Sequence, residues 1–436
     1  MEVDPLSIQF FTPRNGAWGP VGALLLLVLV AGCTDSSAPL GSDGGDETTV
    51  PNWRAQFDLK TLGNIPYPEN NPPRQERISL GRFLFFDPIL SGEKDVSCGT
   101  CHHPDFAFAD RRQFGAGVSG SGLGPDRILM EDDFHLEPRN SQTILNTAFN
   151  GAMNTRPSAN GCQFWDCRVN SLETQATKPV ESRVEMKGDA YPAEVALDSV
   201  LARLRGIPEY VQRFEQAFPE EADGTPDSAP AAVIDTSTYA RAVAAYEREL
   251  VARNSAYDRY VRGDDGALTS EQKDGLMLFF EKANCAECHR GPMLSNFNFV
   301  VHGTPQEGVG KEVIEGDDTG REEATGNPED RYAFRVPSLR NVEITPPYMH
   351  DGVFRTLKEV VRFYNQGARP RHPEIGNEEL HPALREPLDL TEEEIDALVA
   401  FMRSLTDPGR ELPDYLLTVP EEVPSGLTPV NGVRAQ

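Results

Sequence analysis

Two all-α domains are predicted for this chain on three observations. A five-residue pattern, Cys-x-x-Cys-His, occurs twice, as Cys98-Gly99-Thr100-Cys101-His102 and Cys285-Ala286-Glu287-Cys288-His289. Apolar residues at helical spacing lead into each copy, and no run of alternating apolar and polar residues reads as a strand. The 436 residues exceed one ordinary core and fit about two domains.

The first 33 residues hold an apolar run, Val21 to Val30, that ends in Ala31-Gly32-Cys33. It is short for a membrane span and has the small-residue exit of an export signal. A cysteine directly after that exit matches a lipoprotein cleavage site, where the thiol takes lipid and anchors the mature chain without crossing the membrane. An ordinary soluble export signal with an incidental cysteine is the alternative. The n-region sets Arg14 against Glu2 and Asp4, which leaves the true translation start open. Residues 34–52, rich in Ser, Gly, Asp and Thr, read as a tether.

In the first domain, 53–262, the segment Arg77 to Asp87 places Ile78, Leu80, Phe83, Leu84 and Phe85 for an amphipathic helix ahead of the first motif. Thr236 to Val251 forms a second helix, and Gly263-Asp264-Asp265-Gly266 is a turn at the boundary. The second domain, 263–410, opens with Thr269 and Gln272 as a capping box for a helix carrying Leu276, Leu278 and Phe279. Thr391 and Glu394 repeat the box ahead of Ile395, Leu398, Phe401 and Met402. Residues 411–436 are a C-terminal tail. Gly115 to Asp126 and Gln306 to Asp330 read as surface loops without an active-site signal.

Each Cys-x-x-Cys-His reads as a covalent c-type haem site, with two thioether cysteines and a proximal histidine ligand. A zinc cluster would not need the histidine fixed directly after the second cysteine. The fold is therefore two cytochrome c-like domains, each with one covalently bound c-type haem. Export suits this chemistry and an oxidising compartment. Cys33 takes lipid, four cysteines take haem, and Cys162 and Cys167 are left either as a small-loop disulfide or as two free thiols. A formal net charge of -27 argues against nucleic acid as a partner and favours a basic redox partner.

Separated motifs then resemble the bacterial di-haem cytochrome c peroxidases, and within them the MauG-like branch. They run in the family's order from about Asn64 to Thr406: Leu80 to Phe85, Arg139-Asn140-Ser141, Gln163-Phe164-Trp165-Asp166, Pro179 through Glu185-Met186, Val336 to Val342, and Thr345 through His350-Asp351-Gly352.

The resemblance implies a role for each site residue. His102 ligates a peroxide-binding haem iron, and Glu185 is the acid–base group above it, with Gln175 and Pro179 lining the distal pocket. His135 is the plausible sixth ligand in its region, but its acidic neighbours suit a solvated loop, so the first iron is expected to be open. Trp165 matches the tryptophan between the two haems, and a bridged Cys162–Cys167 pair would clamp its loop, although the family pattern usually has glycine at position 167. His289 and Tyr364 ligate the second haem iron. The methionine used by other members is not expected here, because Met349 precedes the ligand loop and Met402 lies on the last helix. Asn140, with the backbone oxygens of Thr345 and Pro347, matches a calcium site. Lys282-Ala283-Asn284 departs from the MauG-like pattern, which has a tryptophan shortly before the second motif.

The implied function is reduction of hydrogen peroxide at the N-terminal haem, with oxidising equivalents shared with the C-terminal haem. The electron donor is expected to be a small cytochrome c or cupredoxin. One alternative is MauG-like oxidation of a partner protein, and another is a non-catalytic di-haem electron carrier.

Overall fold

The computed structural model describes residues 52–129, 135–153, 156–222, 230–407 and 411–429. The expected export signal, Cys33 and the tether up to residue 51 lie outside them. Among the described residues no helix is long and apolar enough to cross a membrane.

Seven helices of nine residues or more appear among the described residues: α1 (Gln75–Phe86), α2 (Ala193–Arg205), α3 (Pro208–Ala217), α4 (Thr236–Glu249), α5 (Ser270–Phe280), α6 (Leu357–Asn365) and α7 (Glu392–Arg403). The expected capping boxes form. Thr269 accepts the Gln272 N–H at the head of α5, and Thr391 accepts the Glu394 N–H at the head of α7. Asp235 and Thr238 make another at the head of α4. Strand pairing does occur, in two short antiparallel pairs: β1 (Gly120–Ser121) with β2 (Ile128–Leu129), and β3 (Phe299–Val301) with β4 (Ala333–Arg335). Two or three residues are too few for an alternating pattern to register in sequence.

The two halves repeat one packing solution. The helix before each Cys-x-x-Cys-His carries a glycine four and five residues ahead of a Phe pair: Gly81 with Phe85 and Phe86, and Gly275 with Phe279 and Phe280. A Cβ on Gly81 would fall 1.9 Å from the Ala242 carbonyl oxygen of α4, and one on Gly275 would fall 1.9 Å from the Ala397 carbonyl oxygen of α7. Each glycine thus lets two helix backbones approach more closely than any side chain permits. Around these crossings lie two apolar cores, one built on Leu80, Leu84 and Val243, the other on Leu276, Phe279, Leu398 and Phe401.

The chain ends exchange halves. Trp53 and Leu59 pack on the C-terminal core, Phe57 stacks on Phe280 at 4.7 Å, and Arg54 Nε donates to the Tyr260 carbonyl at 2.6 Å. At the other end Leu416 is buried with Phe85, Phe86 and Tyr246, whose hydroxyl donates to the Leu416 carbonyl at 2.9 Å. Ser425 reaches Asp87 at 2.7 Å.

Candidate active site

The first motif is a single helical turn, Cys98–Cys101, capped by Ser97, whose N–H is received by Thr100 Oγ1 at 2.9 Å. The turn sets Cys98, Cys101 and His102 on the wall of a cavity of about 520 Å³, within the size range of cofactor pockets. Both thiols are unbonded, and burial raises them, Cys101 to about 12. His102 Nδ1 lies 3.1 Å from the Phe108 carbonyl. A carbonyl only accepts, so the ring proton sits on Nδ1 and Nε2 keeps its lone pair. Burial also lowers the His102 pKa, which keeps the imidazole neutral and fit for a metal.

Gln175, Pro179 and Glu185 line the same cavity. Gln175 Oε1 is buried without a hydrogen-bond partner. Glu185 belongs to Arg183–Lys187, a wide turn closed by the Lys187 and Gly188 N–H groups on the carbonyls five residues back, Ser182 (2.8 Å) and Arg183 (3.1 Å). Such turns recur at functional sites. Burial, and then the nearby Glu137, raise the Glu185 carboxyl to about 7.

Gly115 to Asp126 is a correction to the surface-loop reading. Ala116, Gly117 and Ser119 are buried, and Gly117 lines the cavity. A Cβ on Gly117 would fall 1.8 Å from the Val184 carbonyl oxygen and 2.8 Å from Glu185 Cα, and its φ is +39°. This glycine admits the Glu185 turn to the cavity wall. The Arg127 guanidinium holds the loop through the Gly117 and Gly120 carbonyls, the latter at 2.8 Å. Gln306 to Asp330 is corrected in part: Asp318 is buried and pairs with Arg139 through Nε at 2.6 Å and Nη2 at 2.7 Å.

The second motif forms a similar wall. Cys285, Cys288, His289 and Tyr364 line a second cavity of about 240 Å³. His289 Nδ1 lies 3.0 Å from the Leu294 carbonyl, which again leaves Nε2 unprotonated, and burial lowers this imidazole to about 4. Tyr364 comes from α6, and burial pushes its phenol well up. An anionic phenolate there needs a cation at its oxygen. Met349 and Met402 also line this cavity, Met402 from α7.

Trp165 lines both cavities. Its loop is closed by a Cys162–Cys167 disulfide, with the Cα atoms 4.8 Å apart. Inside the loop Phe164 and Cys167 hold left-handed φ values of +65° and +55°. Trp165 Nε1 donates to the Asn140 carbonyl at 3.0 Å, and the Trp165 carbonyl receives the Arg335 N–H of β4 at 2.7 Å. Asp166 meets Arg139 at 2.6 Å; burial alone would raise this carboxyl, but Arg139 and Arg168 hold it below its usual value. Asn140, Thr345 and Pro347 each line the second cavity. His135 is not among the residues lining the first cavity; its N–H bonds to Ser119 Oγ at 2.9 Å.

These features fit haem on both sides: unbonded thiol pairs, imidazoles with fixed tautomers, and an unmatched Gln175 oxygen. Sequence reasoning missed three carboxyls on the first cavity, Glu137, Glu247 and Glu323. Glu247 is 4% exposed, and burial raises it to about 8. Its place on the buried side of α4 was the available signal, since an acid at a core position needs a reason.

Two His-and-Cys cavities that both reach Trp165, with Glu185 on the wall of the first, fit a peroxidase of the di-haem class. The chain belongs to the di-haem cytochrome c peroxidase family, whose family model matches residues 75–266. The cytochrome-c peroxidase IdrP1 of Pseudomonas sp. (strain SCT) is 34% identical over 382 residues, covering 82% of this chain and 88% of that protein. The methylamine utilization protein MauG of Methylorubrum extorquens is 31% identical over 395 residues, covering 88% and 95%. A solved MauG-like protein associated with microbial copper homeostasis superposes with a TM-score of 0.65 at 28% identity, covering 83% of this chain and 97% of that one. The chain is thus a haem peroxidase, an oxidoreductase, and its family implies two c-type haems.

Proposed function

We propose that the chain reduces hydrogen peroxide in the His102 cavity and shares the oxidising equivalents with the His289 cavity through Trp165. A haem held by Cys98, Cys101 and His102 would supply the iron at which the peroxide oxygen–oxygen bond breaks. Glu185 takes a proton from one peroxide oxygen and delivers it to the other, so that water leaves. A carboxyl raised to about 7 suits both halves of that transfer near neutral pH. Gln175 orients the bound oxygen through its unmatched Oε1, and Pro179 shapes the pocket. Cys285, Cys288, His289 and Tyr364 would hold the second haem. Asn140 and the carbonyls of Thr345 and Pro347 would hold calcium, whose preference is for oxygen donors. A small basic cytochrome c or cupredoxin would return the electrons. Export with lipid on Cys33 completes the reading.

The observation that carries this reading is that Glu185 and His102 line one cavity while Trp165 lines both. The test is peroxide-dependent oxidation of a reduced cytochrome c by the holoprotein. Glu185→Gln should lose about a hundredfold or more in kcat; a variant that turns over at the wild-type rate ends the proposal. Two purely low-spin ferric haems in the isolated protein would favour a non-catalytic electron carrier.

Tyr364 in the second cavity favours a second reading, MauG-like oxidation of a partner protein. Tyr364→Phe should keep both haems attached and abolish any long-lived oxidised state formed by peroxide without donor. Absence of that state in the wild type, with rapid cytochrome c turnover, would count against this reading.

A further inference from the structure

We propose that Glu137, acting through the Ser182 hydroxyl, passes protons from solvent to Glu185. This rests on the peroxide-reducing reading of the His102 cavity and names the proton supply that reading requires. Reducing one hydrogen peroxide to two waters consumes two electrons and two protons. Glu185 only moves a proton between the two peroxide oxygens, so the protons consumed must enter from outside.

The geometry provides an entrance. Ser182 Oγ accepts the Glu185 backbone N–H at 3.2 Å and donates to Glu137 Oε1 at 3.3 Å. The same hydroxyl lies close enough to the Glu185 carboxyl to favour its ionised form. A hydroxyl can receive one proton on a lone pair while releasing its own, which neither a carbonyl nor an amide N–H can do. Glu137 lines the cavity and keeps part of its surface exposed, and its N–H is fixed on the Gly115 carbonyl at 2.8 Å. The three groups therefore form a chain from a partly exposed carboxyl to the Glu185 turn.

The transfer balances without any other reagent. Once protonated, Glu137 reverses its bond to Ser182: it gives its carboxyl proton to Ser182 Oγ, Ser182 gives its own hydrogen to the Glu185 carboxylate, and Glu137 is left ionised to be reloaded from water. Arg168 faces both carboxyls, while Arg139 and Asp318 face Glu137. Burial raises both acids, and the Glu137 charge further disfavours ionisation of Glu185. Glu137 acts through Glu185 and is a positioning residue rather than a catalytic one.

The test is holoprotein turnover of peroxide with reduced cytochrome c, followed against pH and in deuterated water. Glu137→Gln and Ser182→Ala should each lower kcat about tenfold, leave KM for peroxide within about twofold, and raise the solvent isotope effect. Ser182→Thr, which keeps the hydroxyl, should restore turnover. Glu137→Gln should also move the acidic inflection downward, since it removes a like charge from Glu185. Wild-type kcat, isotope effect and pH profile in both variants, alongside an inactive Glu185→Gln, overturn the relay alone. A fully active Glu185→Gln overturns the peroxide reading and the relay together.

Discussion

The indole N–H of Trp165 is bonded to the backbone oxygen of Asn140 at 3.0 Å, which ties the ring shared by both cavities to a residue on the wall of the second. Trp165→Phe keeps an aromatic ring but removes that donor and the oxidisable indole. The unmatched carbonyl costs about 1–3 kcal/mol if it stays buried. Rapid mixing with peroxide should then show a normal spectral change at the first haem and a much slower one at the second. Equal rates in the variant would remove Trp165 from the path.

Glu185 sets the pH dependence. Its folded pKa lies above the ordinary carboxylate value, so the acid is protonated below about 7 and free to accept a proton above it. Peroxide kcat/KM should therefore rise with pH through that region, and Glu185→Gln should flatten the limb. For stability the sign is opposite. The folded state holds the Glu185 proton more tightly than the unfolded chain, so its contribution is full below the unfolded pKa and is lost as pH rises through the folded one.

The Cys162–Cys167 bridge closes a loop whose Phe164 and Cys167 backbones are left-handed without being glycine. Replacing both cysteines with serine should cost about 2 kcal/mol in chain-entropy terms. Both haems should still attach, while transfer between them should slow as Trp165 loses its fixed pose. A lower melting temperature with unchanged transfer would make the bridge purely stabilising.

Gly81→Ala and Gly275→Ala provide a matched pair. Each Cβ would meet a backbone oxygen at 1.9 Å, and a helix backbone cannot swing aside as a side chain can. Each substitution should cost about 3 kcal/mol or more through forced separation of the helices. Melting curves of the two holoproteins would check this, and a neutral result at either site would deny that crossing its tightness.

The parts legible in the sequence were local. Thr269 with Gln272 and Thr391 with Glu394 announce helix starts because a capping box needs only four neighbouring residues. The histidine after each second cysteine likewise carries its chemistry within five residues. Glu137 carries no such local sign, because its importance comes from Ser182, 45 residues later in the chain. Asp318 reads as one acid in a polar loop until Arg139, 179 residues away, is placed against it. Met349 and Met402 show the same limit from the other side: distance along the chain says little about which side chains meet in a cavity.

The crossed ends bear on how the molecule is made. Leu416 and Ser425, which cover Phe85, Phe86 and Asp87, are among the last described residues to leave the ribosome. The N-terminal half therefore remains uncovered on that side until those residues have been made. A chain truncated before residue 411 would expose that apolar surface permanently, and would meet proteases and neighbouring chains in that condition.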